Sequence, residues 1–515
     1  MKKTSRLLYL AISICLMLSL VITGCSKTGS TGTAGGTQAT GDSAGTDKSL
    51  APYQVTWYTI GNTSEPDEKL IENAVGDYLK DKINTTVDII AYPIGEYQDK
   101  VRTIIQSGEK ADLFFTCSWH MDYITTVRDG LAAEITDDML NNYAPSAKQV
   151  LGSTAYLAGA KIDGKLYTLP CNKEVGAQGG VILNKAMVDK YNINIKDIKK
   201  YDDLVPILQM IKENEPNSIP IDTSRNNHSS QIINCYGDNV GQAFEFIKMP
   251  MSGGDWLLAF DMPEIVDVFR TNKRIYDLGL IREDAVTLLD IMPDLKTGRV
   301  FASWQQLKPG KDAEMTSSTG VEWVQVPLTD PVTRSSDPTG SMMAIPATCQ
   351  DTSRVLMFYD YFYHDRELLT LVNFGIENTH WVKIDANTID FAPATEGGTK
   401  SGWNPPFNTW TVGNQFLNYI FEGEDPNKHE NMKAFNATCK PFESVGFIMD
   451  TKSCENMIEK LRAVQVDEYT LLAMGVVDDV DATMQVMLDK WNEAGLQDVI
   501  AEYNRQYKEW KAQAK

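Results

Sequence analysis

With 515 residues the chain exceeds what one hydrophobic core commonly serves, so two or more domains are expected. Its 48 Lys and Arg stand against 69 Asp and Glu, a formal charge of -21, which argues against nucleic acid as a partner because phosphate demands the opposite sign. Hydrophobic residues make up 43%, an ordinary share for a globular protein.

The chain opens with Lys2, Lys3 and Arg6 ahead of an almost unbroken apolar run over 7–22, the layout of an export signal. That run is short for a membrane span, which takes about 20 apolar residues. It stops at Ile22-Thr23-Gly24-Cys25, small residues before a cysteine that resemble the bacterial lipobox. Cys25 is then expected to carry lipid on its thiol and to head the mature chain; an ordinary cleaved signal with a chance cysteine is the plainer alternative. Residues 26–50 are mostly Gly, Ser, Thr, Ala and Asp without an aromatic, so they are expected to form a disordered tether. A coil of that length spans roughly 25 to 30 Å between its ends.

Folding is expected to begin with YQVTWYTI at 53–60, rich in aromatic and β-branched residues and bounded by Gly61-Asn62. Ser64 suits an N-cap, and Leu70, Ile71, Ala74, Val75, Tyr78 and Leu79 then recur at helical period. TTVDIIAYP (85–93) reads as a strand, Tyr97, Val101, Ile104 and Ile105 as a helix face, and ADLFFTCS (111–118) as a third strand. Strand, helix, strand, helix, strand predicts a parallel sheet, whose ligands sit beyond the carboxyl ends of the strands. Those ends are Gly61-Asn62, the corner at 92–94 and Cys117-Ser118-Trp119. No glycine-rich phosphate cradle follows any of them, which leaves a nucleotide no seat.

Asp163-Gly164 between short alternating runs predicts a two-residue hairpin. GGVILN (179–184) feeding a helix, then a helix from Asp202 and SIPIDTS (218–224), predict a second α/β unit. An amphipathic helix lies within 253–281, and strands are expected at 298–304, in VEWVQVPL and in GSMMAIPAT, the last leading into a long aromatic helix. The tail from Val480 is helical, with Met484, Met487, Leu488, Trp491, Val499, Ile500 and Tyr503 as core faces. Six scattered cysteines remain beyond Cys25 without a CxxC pair; Cys439 and Cys454 could pair or stay as buried thiols. Five histidines show no metal-ligand spacing, so no metal and no other cofactor is expected.

Several passages in this order carry a resemblance: the lipobox and tether, ADLFF, DGKLYTLP followed by GGVILN, GSMMAIPAT before a long helix, and the late GNQF. Together they resemble the family 1 extracellular solute-binding proteins of ABC importers, the periplasmic-binding-protein type. FGIENTHWVKID (374–385) and WNPPFNTWTVGNQF (403–416) are similar to the LipO-like lipoprotein branch of Gram-positive bacteria. The resemblance implies an α/β fold of two lobes joined by crossing strands at a hinge, with an added C-terminal helical module. It also implies a monomer held to the membrane through its lipid, which closes on a sugar or oligosaccharide and delivers it to the permease subunits. The expected division is signal 1–24, lipidated cysteine and tether 25–50, lobe 1 from 51–168, lobe 2 from 169–340, a return to lobe 1 and hinge over 341–435, and the helical module 436–515. Cys171 stands after LP where the family commonly has an aromatic, which puts that contact in doubt.

A sugar offers hydroxyls and patches of C–H, so its site wants aromatic faces with a few oriented amides and carboxylates. Candidates are Trp119 and Trp304 at strand ends, Trp403 in loop-rich sequence, and the polar Asn62, Ser118, Asn172, Lys173, Glu174, Asn378 and His380. Each has a plainer reading, as core aromatic, turn residue or satisfied imidazole. Gly253-Gly254-Asp255-Trp256 is a second loop of interest, and Arg225-Asn226-Asn227-His228 would suit an anionic ligand. The rivals are a surface glycoside hydrolase, which needs two facing carboxylates but shows no recognisable pair, and an adhesin or signalling lipoprotein. No enzyme activity is expected.

Overall fold

The computed structural model describes residues 50–61, 65–152, 155–225, 227–240, 244–393 and 409–513. The signal, Cys25 and all of the tether but Leu50 lie outside the described residues, as do Asn62, Asn226 and Trp403. No helix of the described residues is long and apolar enough to cross a membrane.

The first unit is built as its periodicity predicts, from β1 (Tyr53–Ile60), α1 (Glu65–Leu79), β2 (Thr85–Tyr92), α2 (Ile94–Ser107) and β3 (Leu113–Thr116). β1 lies between β2 and β3, parallel to both, with Tyr53 opposite Thr85 and Trp57 opposite Leu113. Parallel strands are covered on both faces, and from Val55 onward β1 is buried throughout. The aromatic helix Thr352–His364 lays Phe358 edge-on against Trp57 at 6.2 Å and Phe362 tilted against it at 5.7 Å. Two short antiparallel strands complete the sheet, Met342–Ala344 beside β3 and Thr168–Pro170 outside it. The hairpin at Asp163-Gly164 forms as expected, both residues taking the positive φ of a tight turn.

The second lobe has its own four-stranded sheet, ordered Trp323–Pro327, Gln178–Asn184, Val300–Leu307, Ile219–Asp222. Gly179 and Gly180 are required by close approach. A Cβ on Gly179 would lie 2.5 Å from the Gln231 carbonyl oxygen, and one on Gly180 2.4 Å from that of Val326. The strand expected to end at Trp304 runs on to Leu307, which moves Trp304 from a strand end into the middle of the sheet.

Hydrophobic burial falls into two large cores and a small cluster around Ile182, Leu295, Val300 and Trp323. One core draws on residues 55–175 and 342–412, the other on 177–332 together with Phe442 to Tyr507. The C-terminal helices Glu455–Ala473, Val480–Ala494 and Leu496–Gln513 therefore share the core of the second lobe. Trp491 is fully buried there, 4.8 Å from the Phe246 ring, and Tyr503 stands against Trp256 at 5.4 Å. Met487, Trp491, Val499 and Tyr503 are fully buried, while Met484, Leu488 and Ile500 are half-buried.

Three segments cross between the cores. The Cys171 N–H donates to the Ser341 carbonyl, Ala177 bridges Val332, and Val332–Thr333 runs parallel to Lys440–Pro441. Gly176 is crowded by this crossing, because a Cβ there would meet Cys439 Sγ at 2.3 Å. All six described cysteines are free thiols, so Cys439 and Cys454 are not bonded.

Candidate functional site

β3 points its carboxyl end at the crossing segments. Tyr97 of α2 fixes that end, its buried hydroxyl donating to the Phe115 carbonyl (2.9 Å) and accepting the Phe115 N–H (2.8 Å). The chain then turns tightly, with Met121 at φ 45° and Asp122 capping the next helix by accepting the Thr125 N–H. Trp119 is thrown outward by this turn and is half exposed. Its indole N–H donates to the Gly340 carbonyl at 2.8 Å, which fixes the ring beside a crossing segment. His120 stacks near it at 5.9 Å, Trp410 tilts against it at 6.0 Å, and Phe115 backs both tryptophans. An exposed aromatic held this firmly loses little freedom when a ligand stacks on it. Burial pushes the His120 imidazole below its ordinary range, so its ring is neutral.

Ser118 donates its N–H to the Thr339 carbonyl and its hydroxyl to that of Ser336 at 3.3 Å. Those partners also lie on the second crossing segment, which is fastened to the far lobe. Arg334 forks onto Asp337 and reaches Gln306, while the buried Asp238 carboxylate accepts from Ser335 and Ser444. The first crossing segment carries the ion cluster. Glu174 Oε1 accepts from Lys173 Nζ at 2.9 Å and lies 3.5 Å from Lys308 Nζ, and Lys308 follows the strand Val300–Leu307 of the second lobe. Burial pushes the Glu174 carboxyl up, but the two ammonium groups outweigh that and hold it at about 2. Its second oxygen is buried and has no hydrogen-bond partner among the described residues. Tyr156 donates its hydroxyl to the Lys173 or Glu174 carbonyl, which sets the backbone of this pair.

Other expected residues do different work. Trp304 is 2% exposed and meets Tyr201 edge-on at 4.8 Å, so its faces are used in packing and not for a ligand. Asn172 spends its amide on Asn414 (2.9 Å) and its backbone on Gly413, tying a crossing segment to lobe 1. Asn378 is an exposed turn residue at φ 62°, and His380 is buried with Nδ1 accepting the Ile376 N–H. Trp256 is buried at 1% exposure against Phe447 and Tyr503, and Asp255 pairs with Lys508. The structure thus gathers Ser118, Trp119, Lys173 and Glu174 around the crossing segments. It adds His120 and Lys308, which no local sequence signal marks, and Trp410, which like Trp403 stands out in the sequence only as a tryptophan in a loop-rich stretch. Among the described residues no group of three His, Cys, Asp or Glu is placed to hold a metal.

Residues 61–231 match the family described as bacterial extracellular solute-binding protein, and 443–512 match a domain of unknown function, DUF3502. A carbohydrate ABC transporter substrate-binding protein of Streptococcus pneumoniae serotype 4 (strain ATCC BAA-334 / TIGR4) is 24% identical over 93% of this chain and 96% of its own. The crystal structure of the N-glycan transport solute binding protein NgtS from S. pneumoniae superposes with a TM-score of 0.81 at 21% identity, covering 90% of this chain and all of its own. The same protein in complex with Man5GlcNAc gives 0.69 at the same identity and coverage. The S. pneumoniae substrate binding protein FusA with kestose gives 0.60 at 14% identity over 89% of this chain and all of its own. The likeness to the bacterial extracellular solute-binding proteins is thus a sequence match over 61–231 and a shared two-lobed fold.

Proposed function

We propose that the protein is the extracellular receptor of an ABC importer and captures an oligosaccharide between its lobes for a membrane permease. The observation that carries this reading is Trp119, half exposed and locked by its indole N–H at the crossing segments, with Trp410 beside it. Paired rings of this kind offer stacking faces to the C–H surfaces of successive sugars, and the Lys173–Glu174–Lys308 cluster offers charged hydrogen-bond partners. The relatives named for N-glycan and carbohydrate transport support an oligosaccharide as the cargo.

Closure is a population shift, since the ligand favours whichever arrangement gives it contacts from both lobes. One relative superposes at 0.81 in one structure and at 0.69 in its complex with glycan, so the present structure matches the first more closely. A glycan panel read by calorimetry is expected to give saturable one-to-one binding without turnover. Micromolar affinity corresponds to roughly -8 kcal/mol, within reach of a few stacked rings and hydrogen bonds. Cleaved products would make the protein a glycoside hydrolase, and a panel with no binder would favour the adhesin.

The membrane attachment rests on Cys25 and the composition around it. Lipid on that thiol, with 26–50 as tether, holds the receptor near the permease without orienting it. Cys25→Ala is expected to shift the protein from the membrane fraction to the medium, and retention on cells would reject the anchor.

A further inference from the structure

Away from the crossing segments, the second lobe contains a cavity of about 220 Å³, room for about seven waters. Its wall includes Lys248, Asn234, Glu245, His228, Phe246 and Tyr469. Tyr469 belongs to the helix Glu455–Ala473, so the C-terminal module of unknown function closes one side. Lys248 is 3% exposed and sits on the strand Ile247–Pro250, where Gly237 makes room for its stem; a Cβ on Gly237 would lie 2.9 Å from Lys248 Cβ. Its ammonium donates to Asn234 Oδ1 at 2.9 Å, and among the described residues no carboxylate lies within 4 Å of it. Glu245 and Asp238 favour its charge only from a greater distance.

A buried ammonium with one amide partner is unfavourable unless an anion joins it. We propose that this cavity is a second binding site, completed by the C-terminal helices, for a small hydroxylated carboxylate whose acid group pairs with Lys248. Two carboxylate oxygens can accept from Lys248 Nζ and from the amide nitrogen of Asn234. Hydroxyls on the ligand find Glu245 and the His228 ring, and the faces of Phe246 and Tyr469 cover its C–H surface. His228 is neutral there, since burial pushes its imidazole down to about 4, so Lys248 is the cation that selects the acid. The requirement for anion and hydroxyl together excludes neutral polyols of the same size.

The test uses calorimetry and thermal shift on the whole protein with lactate, glycerate and glucuronate, and with glycerol as the neutral control. At least one acid is expected to bind saturably and to raise Tm while glycerol does neither, with oligosaccharide binding unaffected. Lys248→Met, which keeps the stem but removes the charge, is expected to raise Tm without ligand and to weaken acid binding by more than tenfold. Asn234→Ala, which removes the second donor to the carboxylate, is expected to weaken it severalfold and serves if the lysine variant misfolds. Absence of binding by any acid, equal binding of glycerol, competition with the oligosaccharide, or acid binding unchanged in both variants would each overturn the proposal.

Discussion

Trp119→Ala is expected to weaken oligosaccharide binding by about thirtyfold while leaving the folded protein nearly as stable as before. Half of the ring faces water, so truncation removes little of the core. What it removes is a preordered platform, because the indole N–H is already committed to Gly340 and the ring is braced by His120 and Trp410. A buried aromatic anchor at the centre of a binding site is worth about 2 kcal/mol or more, and 1.4 kcal/mol is a tenfold change in Kd. Calorimetry with the best glycan of the panel decides it. A Kd within twofold of the parent would move the sugar site away from Trp119. Trp119→Phe keeps a stacking face but loses the hydrogen bond to Gly340, so its loss is expected to be intermediate.

Glu174→Gln is expected to cost about 3 kcal/mol of stability, the scale of breaking a buried ion pair by deleting one partner. The substitution leaves Lys173, at 12% exposure, beside a neutral amide that cannot balance it, and leaves Lys308, at 21% exposure, with Glu314 at 3.6 Å as its remaining carboxylate. The pH dependence follows from the direction of the shift. In the folded protein Glu174 is held at about 2, whereas in the unfolded chain it takes its proton near the ordinary value of about 4.3. Its stabilising contribution is therefore complete above that value and is lost as the pH falls toward 2. The Tm gap between the parent and Glu174→Gln is expected to be widest at neutral pH and to close between about pH 4.5 and 2. A gap that stays constant across this range would mean that the cluster does not stabilise the carboxylate.

Much of the fold was legible because it is local. The aromatic and β-branched run 53–60, the helical period of 70–79 and the Asp163-Gly164 turn each specify their element within a few residues, and the first parallel sheet follows from their order. Trp304 was misplaced because a single aromatic near a strand end carries no signal of how far the strand continues. The three extra residues to Leu307, and Tyr201 packed edge-on against the ring, put it inside. Trp256 failed for a similar reason, since its neighbours Phe447 and Tyr503 come from nearly 200 residues or more further on.

The sequence by itself determined the elements, the double α/β plan and the chemistry on offer, because backbone propensity and hydrophobic period act over a few residues. Tertiary structure decided which groups meet. Trp119 touches Gly340 and Trp410, and Glu174 reaches Lys308, only because three chain segments cross between two cores. Burial did the rest, giving Glu174 a pair of cations and leaving Lys248 with no described carboxylate within 4 Å, since desolvation depends on what surrounds a charge and not on its place in the chain.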